Sequence, residues 1–335
     1  MSFRRLIRRH CGRVVAAILI NLLCWHARAE VIRLPAVAPP EDRLPGRLVS
    51  HPDSSAEVLQ SPANSDPAMD SAELPPGTRK GAFQKLVFSE TWLASGASRG
   101  FGVNDLELRM VLGFPFPTRQ SPLLITPGFA VYYLDGPRTP DLPPRICDAY
   151  TQFRWMHQFS PRWAIDAALT PGIFSDFQQG TDDGVRISGH GVAVWTCRPG
   201  LKILLGAAYL DREDLGLIPA GGIIWTPYEQ LRYELIMPRP RIALRVSAAG
   251  DIEDWAYLAG ELGGGTWAVR RLDGANDLFT YRDWRIVLGI ERKSVYGLDA
   301  RLELAYVFGR EVQYRSSTPD FTPADTVMLR GGVTY

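Results

Sequence analysis

The feature that most constrains the fold is a two-residue alternation near the end of the chain. From Leu298 to Phe308 every second residue is apolar or aromatic, and the stretch from Val327 to Tyr335 repeats this period and closes on an aromatic residue. A period of two places alternate side chains on opposite faces of a β-strand. The two segments therefore predict a hairpin with one apolar face and one mixed face.

The same pattern begins at Phe83 and gives about fourteen candidate strands, of which Val103 to Phe114 and Tyr281 to Arg292 are strong examples. Most candidates have about 9 to 13 residues, the length that a tilted strand needs to cross a bilayer. Strands of soluble sandwiches centre on about five or six residues. We therefore predict an all-β fold, an antiparallel transmembrane β-barrel of about fourteen strands.

The connections between the candidate strands agree with a barrel. Short turns such as Ser160 to Arg162 mostly alternate with longer polar stretches, among them Asp135 to Arg145, Arg270 to Thr280 and Gly309 to Ala324. Membrane barrels alternate in this way, with short periplasmic turns and longer external loops. Pro238-Arg239-Pro240 is short where a long loop is due, and the loss of a hairpin there would give twelve strands.

The N-terminal part of the chain has a different composition. Residues 1–29 carry a basic start, an apolar run and the small-residue site Ala27-Arg28-Ala29, which predicts a secretory signal peptide cleaved near Ala29. An uncleaved anchor helix is the alternative. Residues 30–80 are rich in Pro and polar residues and predict a disordered leader. The barrel then occupies residues 81–335, and the expected location is the cell outer membrane.

Composition and motifs argue against several other classes. The net charge of +1 gives no basis for nucleic-acid binding. No P-loop, zinc-protease motif or dinucleotide fingerprint occurs, so neither a cofactor nor a metal site is predicted. Cys147 and Cys197 remain after signal cleavage and could form a disulfide if neighbouring strands bring them together. The alternative is two buried free thiols.

Charged residues alternate with the apolar set and are predicted to face the lumen. Both signs occur within single strands, as in Asp299, Arg301 and Glu303. Such residues either form ion pairs across neighbouring strands or line a polar pore that selects solutes by charge; the mixed signs favour ion pairs. The candidate lumen-lining residues are Glu107, Arg109, Arg154, Asp166, Arg186, His190, Arg232, Glu234, Arg245, Arg285, Asp299, Arg301 and Glu303.

Aromatic residues near the strand ends predict the girdles with which a membrane barrel meets its two interfaces. The alternative is that they are core aromatics of a soluble β protein. These residues are Trp163, Trp225, Trp284, Tyr133 and Tyr335.

No catalytic site is predicted. Ser188 and His190 would share a strand face, and His157 lies near Ser160 at a turn. Neither pair has a recognisable third member of a hydrolytic triad. The ordinary interpretation of Ser188 and His190 is a polar pair that faces the lumen.

The closing strand, with Tyr335 as its last residue, resembles the C-terminal signature of bacterial outer-membrane β-barrels. The stretches from Ile223 to Leu235 and from Pro238 to Arg241 resemble an uncharacterised outer-membrane barrel family, a domain of unknown function. They are also distantly similar to the outer-membrane channel family associated with aromatic-compound degradation. The resemblance covers about Phe83 to Tyr335 and supplies no catalytic motif.

The resemblance implies a barrel surrounded by outer-membrane lipid and assembled by the barrel-assembly machinery through the strand that ends at Tyr335. The predicted function is a passive channel or transport-related barrel for small solutes. Two alternatives remain open: a structural or adhesive barrel with a closed, ion-paired lumen, and a lipid-modifying outer-membrane hydrolase.

Overall fold

The structure is a computed structural model that describes residues 81–96, 100–116, 121–137, 139–178, 182–295, 297–316 and 318–335. The predicted signal peptide and leader lie outside these residues. Among the described residues, no helix is long and apolar enough to cross a membrane.

The described chain forms fourteen strands, with a single 3-10 turn at Asp182–Gly184. Their bounds are β1 Phe83–Leu93, β2 Gly102–Pro115, β3 Pro122–Asp135, β4 Arg145–Gln158, β5 Trp163–Ser175, β6 Val185–Arg198, β7 Leu201–Tyr209, β8 Leu217–Tyr228, β9 Leu231–Met237, β10 Arg241–Ala249, β11 Ile252–Arg270, β12 Asn276–Ser294, β13 Asp299–Tyr314 and β14 Thr326–Thr334.

The sheet closes on itself because β1 pairs with both β2 and β14. The β1–β14 ladder is antiparallel and runs from Val87 opposite Thr334 to Leu93 opposite Met328. Closure pairs the backbone N–H and C=O groups that an open sheet would leave along its edges. The prediction of a closed antiparallel barrel is confirmed, with fourteen strands rather than twelve.

The barrel has two different ends. At the turn end, tight connections such as residues 199–200 and 229–230 join the strands, and Tyr335 exchanges backbone hydrogen bonds with Leu86. At the loop end, longer connections such as residues 136–144 and 315–325 join them. The alternation of short and long connections is therefore as predicted, and Pro238-Arg239-Pro240 is a tight hairpin at the loop end.

The outer face of the barrel is apolar and exposed. On β12, Ile286, Leu288 and Ile290 point outwards, and Leu288 is 61% exposed, whereas Val287 between them points inwards and is 1% exposed. This contrast follows from the two-residue period of the strand. An exposed apolar face of this extent is unstable in water and indicates an apolar environment around the barrel.

Aromatic side chains lie on this outer face near the strand ends. At the turn end, Trp163 stacks on Trp195 with ring centroids 6.0 Å apart, and Trp225 stacks on Tyr233 at 5.2 Å. The other predicted girdle residues, Trp284, Tyr133 and Tyr335, are also exposed.

The β11–β12 hairpin leaves the wall of the barrel. The first residue of β10, Arg241, lies opposite Ala259, and β11 continues beyond it to Arg270. Near its end Ala268 pairs with Ser175 of β5, which is nearly opposite in strand order. The bend coincides with Gly263–Gly265, where Gly264 has a φ of 95°. The prediction of a long polar loop from Arg270 to Thr280 is wrong, since residues 276–280 belong to β12. They form a strand because Phe279 and its neighbours pack inside the barrel instead of facing water.

The disulfide considered from the sequence does not form. Cys147 and Cys197 are free thiols. Cys147 lies near the loop end of β4, whereas Cys197 lies near the turn end of β6. Bridged cysteines need Cα atoms no more than about 7 Å apart. Cys147 and Cys197, at opposite ends of the barrel, lie farther apart than that.

Substitution Gly264→Ala tests the bend of β11. A Cβ atom at this position would lie 1.9 Å from the Tyr281 carbonyl oxygen, on a backbone that already has positive φ. We expect the free energy of unfolding to fall by about 1–3 kcal/mol, measured by urea titration in detergent with tryptophan fluorescence. Gly191→Ala on β6 is the control, because its Cβ would meet no atom within 4 Å. Equal midpoints for the two variants would contradict the bend.

Candidate functional site

The barrel interior contains a cavity of about 510 Å³ that reaches the loop end. Its lining includes apolar and aromatic groups such as Phe101, Ile146 and Phe279, each almost fully buried. Charged groups, among them Glu261 and Arg330, complete the lining. A concave space that combines apolar walls with convergent polar groups is the usual form of a small-molecule site. This cavity is the candidate functional site.

The tip of the β11–β12 hairpin, residues 266–280, crosses the lumen and is called the cap. Trp267 donates a hydrogen bond of 2.5 Å from Nε1 to Asp148 Oδ1 on β4, and its ring meets Tyr132 edge-on at 5.5 Å. On the other cap strand, Phe279 meets Phe101 at 6.4 Å. Because these partners lie on β3, on β4 and in the β1–β2 connection, across the lumen from β11 and β12, the cap covers the cavity at the loop end.

A buried arginine on β13 holds the base of the cap. Arg310 is 1% exposed and donates to the Tyr281 hydroxyl at 3.0 Å. It also donates to the backbone oxygens of Phe101 at 2.5 Å and Ala324 at 2.9 Å. A buried guanidinium is tolerated only when its N–H groups find acceptors. Arg310 thus joins β12 and β13 to two connections at the loop end.

A second arginine fastens the outer turn of the cap. Arg271 donates to Asp141 in the β3–β4 connection, to Asp277 at 2.9 Å and to the Thr318 hydroxyl at 3.0 Å. The Leu272 N–H also donates to Asp141, at 2.9 Å. The Arg271 hydrogen bonds lower the pKa of Asp141 below its ordinary value. Asp141 therefore stays charged at neutral pH and keeps the cap turn attached.

A cluster of charges occupies the lumen beside the cavity. Glu261 of β11 accepts from Arg239 at 3.2 Å, from Arg285 at 3.1 Å and from Arg330 at 2.8 Å. Arg330 also bonds to Glu303. These residues come from β11, β12, β13, β14 and the β9–β10 turn, so the cluster lies on one side of the lumen. We call it the Glu261 cluster.

Further ion pairs lie on the inner wall. Arg154 donates two hydrogen bonds to Asp166, at 2.9 and 2.7 Å, and His190 lies 3.5 Å from the same carboxylate. Other pairs, on strands β9 to β12, are Arg232 with Glu234, Arg245 with Glu253, and Arg241 with Glu291. The polar inner wall is thus largely neutralised internally, as the mixed signs of the sequence favour.

The structure places most of the predicted lumen residues on the inner wall. Seven line the cavity: Glu107, Arg109, Arg154, Arg186, His190, Arg285 and Arg301. Five belong to the ion pairs described above: Asp166, Arg232, Glu234, Arg245 and Glu303. Asp299 differs, because it accepts a hydrogen bond of 2.7 Å from the Ser294 N–H at the turn end, outside the cavity.

Sequence patterns missed four residues that organise the site: Arg239, Glu261, Arg271 and Arg310. The alternation of β11 is weak, since three glycines follow Glu261 closely. Arg239 lies between two prolines in a turn, and Arg271 lies in a segment that reads as a loop. The only local signal was the run Gly263–Gly265, which marks a close approach of backbones.

Neither candidate serine–histidine pair forms a triad. Among the described residues, Ser188 makes no hydrogen bond to His190, and Asp166, beside His190, is bound by Arg154. His157 hydrogen-bonds Ser121, not Ser160, with 2.6 Å between Nδ1 and Oγ. The described residues hold no group of three or more His, Cys, Asp or Glu side chains that could bind a metal.

Fold and site together define a closed fourteen-stranded β-barrel with a capped, ion-paired lumen. Residues 137–321, more than half of the 335 residues, match the family model described as "Domain of unknown function (DUF6268)". The chain belongs to this family. No curated protein matches the chain.

Solved outer-membrane proteins resemble the chain weakly. The TodX deltaS2S3 mutant, a monoaromatic hydrocarbon channel, is 9% identical, with a TM-score of 0.30 and coverage of 78% of this chain and 92% of that chain. The β domain of the Bordetella autotransporter BrkA is 12% identical, with a TM-score of 0.34 and coverage of 76% of this chain and 99% of that chain. Pseudomonas aeruginosa OccD3 (OpdP) is 8% identical, with a TM-score of 0.30 and coverage of 84% of this chain and 97% of that chain. TM-scores this low carry no argument about function.

Substitution Arg330→Met tests the Glu261 cluster. The change leaves Glu261 and Glu303 with fewer partners inside the barrel, and breaking a buried pair in this way costs about 3–5 kcal/mol. We expect the midpoint of urea unfolding to fall accordingly. Arg292→Gln is the matched control, because its pair with Asp254 is partly exposed and such pairs contribute about 0–1 kcal/mol. A loss for Arg330→Met no larger than that of the control would refute the cluster's role.

The Arg271–Asp141 contact predicts a pH-dependent cap turn. Because the pKa of Asp141 is lowered below 3.8, the contact is complete above that pH and is lost as the pH falls through the lowered pKa. A nitroxide on Asp273→Cys, with Cys147 and Cys197 replaced by Ser, should gain mobility only below pH 3.8 in electron paramagnetic resonance spectra.

In an Asp141→Asn background, the same label should already be mobile at pH 7. Asp135→Asn serves as the control, because Asp135 is an exposed carboxylate at the end of β3 and its replacement should leave the spectrum unchanged. An immobile label in Asp141→Asn would show that another contact holds the turn.

Proposed function

We propose that this protein is an outer-membrane β-barrel channel for small solutes, whose lumen is closed at the loop end by the cap. The observation that carries this proposal is the cavity of about 510 Å³ behind the cap. A wall that served only to hold the barrel together would pack its interior, since protein cores leave few voids larger than a water molecule. A cavity of this volume matches the lower range of ligand pockets.

The outer surface supports a location in the outer membrane. The sheet is closed, its outer face is apolar, and aromatic residues lie near the strand ends. A membrane barrel needs all three features. We propose outer-membrane lipid as the surrounding partner and the barrel-assembly machinery as the partner of the strand that ends at Tyr335.

The inner wall supports passage without strong charge selection. The carboxylates of the Glu261 cluster and of the Arg154–Asp166 pair are bound by arginines of the same barrel. A fixed ring of one sign would select ions, whereas paired charges give a polar wall with a small net field.

The same paired wall also favours a second candidate function, a structural barrel with a permanently closed lumen. The two functions differ in the role of the cap. In a channel, removal of the cap opens the path through the cavity, whereas in a structural barrel the Glu261 cluster still blocks the lumen.

Planar-bilayer conductance of a shortened hairpin tests the proposal. Residues 266–280 are replaced by Asn-Gly, which joins Gly265 to Tyr281; these two residues already pair across the hairpin, and Asn-Gly suits a two-residue turn. We expect frequent, long openings for this variant and rare openings for the wild-type protein. The control replaces Asp273-Gly274 within the cap turn by Asn-Gly and keeps the wild-type pattern. A shortened barrel that folds but conducts no ions would favour the structural function.

A further inference from the structure

The tight β9–β10 turn leaves a gap in the barrel wall. β9 ends with Met237 opposite Gly221 of β8, and β10 begins with Arg241 opposite Ala259 of β11. Beyond the turn, residues 217–220 of β8 and 261–270 of β11 have no strand between them. The short connection that looked anomalous in the sequence is thus a place where the wall is lower than elsewhere.

The gap lies within the height of the apolar outer belt. Tyr233 stacks on Trp225 at the turn-end girdle, and four residues of tilted strand from there to Met237 rise only about 10 Å. The apolar band of a membrane barrel is about 25 Å high. The side chains bordering the gap are apolar and exposed: Leu217 is 73% exposed and Met237 50%. The gap therefore opens toward lipid.

The cavity extends to the same gap. Ala220 and Met237 on one side, and Leu262 with Gly263–Gly265 on the other, all line the cavity. Arg239, in the turn at the lower edge, points to Glu261 inside the barrel. The cap covers the cavity at the loop end and the Glu261 cluster lies beside it, so the gap is a direct path from the cavity to the surroundings.

The β7–β8 connection closes this path, mainly through one side chain. Arg212, in the β7–β8 connection, reaches across the gap and donates to the backbone oxygens of Gly263 at 3.2 Å and Tyr281 at 3.1 Å. Asp214 orients the guanidinium through two hydrogen bonds of 2.9 Å. The neighbouring Glu213 N–H donates to the Thr266 hydroxyl at 3.2 Å. The bonds to Gly263 and Thr266 satisfy polar groups of β11 that have no β10 partner.

We propose that the gap is a side portal through which small, uncharged apolar molecules pass between the cavity and the membrane lipid, and that Arg212 closes it. The inference rests on the proposed channel function. The class of molecule follows from the path, because the portal is bordered by Leu217 and Met237 and leads to the apolar part of the cavity near Phe101 and Ile146. A charged molecule would lose its hydration at the lipid side without a fixed partner there.

Cysteine labelling from the lipid phase tests the portal. Ala220→Cys, in a chain with Cys147 and Cys197 replaced by Ser, places a thiol where the portal meets the cavity. The probe is N-(1-pyrenyl)maleimide dissolved in the liposome bilayer. The matched control is Val192→Cys, which is equally buried on the inner wall of β6 but does not line the cavity. We expect labelling of the Ala220→Cys protein and little labelling of the Val192→Cys protein.

Arg212→Ala in the Ala220→Cys chain should raise the labelling rate about tenfold, which corresponds to the loss of one net hydrogen bond of this kind. Arg292→Ala, which removes an arginine paired with Asp254 at the turn end, should leave the rate nearly unchanged. Each variant is first checked for the parent unfolding midpoint. Equal labelling of the two cysteines, or an Arg212→Ala rate equal to that of the parent, would overturn the portal. If the shortened hairpin conducts while Ala220→Cys stays unlabelled, the channel stands and the portal fails.

Discussion

The structure depends on the pairing of charges inside a space with little water. Each carboxylate or guanidinium on the inner wall loses solvation, and the loss is repaid only by a partner with good geometry. Glu261 illustrates the constraint, since three arginines from three different parts of the chain converge on it. These contacts tie the inner faces of β11, β12 and β14 to the β9–β10 turn, in addition to the ladders that already join neighbouring strands.

The cap follows from the same constraint applied to the backbone. Where β11 passes the first residue of β10, its peptide groups on that side need acceptors and donors other than a neighbouring strand. Arg186 and Arg212 supply donors to the Thr266 and Gly263 oxygens, and the Ala268 segment pairs with β5. Three glycines allow the bend that brings these groups together. The wall, the cap and the cavity are thus consequences of one strand that is longer than its neighbour.

Much of the architecture could be predicted from the sequence, because alternation, segment length and connection length are local properties. These properties sufficed for closure, strand number and the outward position of Leu288 and the girdle residues. They did not suffice for the cap, because residues 270–280 are polar enough to predict a loop. The cap is set instead by the contacts of Trp267 and Phe279 with distant parts of the chain. The Glu261 cluster is likewise set by residues far apart in the chain, which no local pattern relates.

The ladder between β1 and β14 joins residues as far apart as Val87 and Thr334. Contacts between such distant residues form late, because the ends of a long loop must first meet. Until then β1 presents an open edge that can template pairing with other chains. The pairing of β1 with β14 is therefore the step that ends the exposure of this edge to other chains.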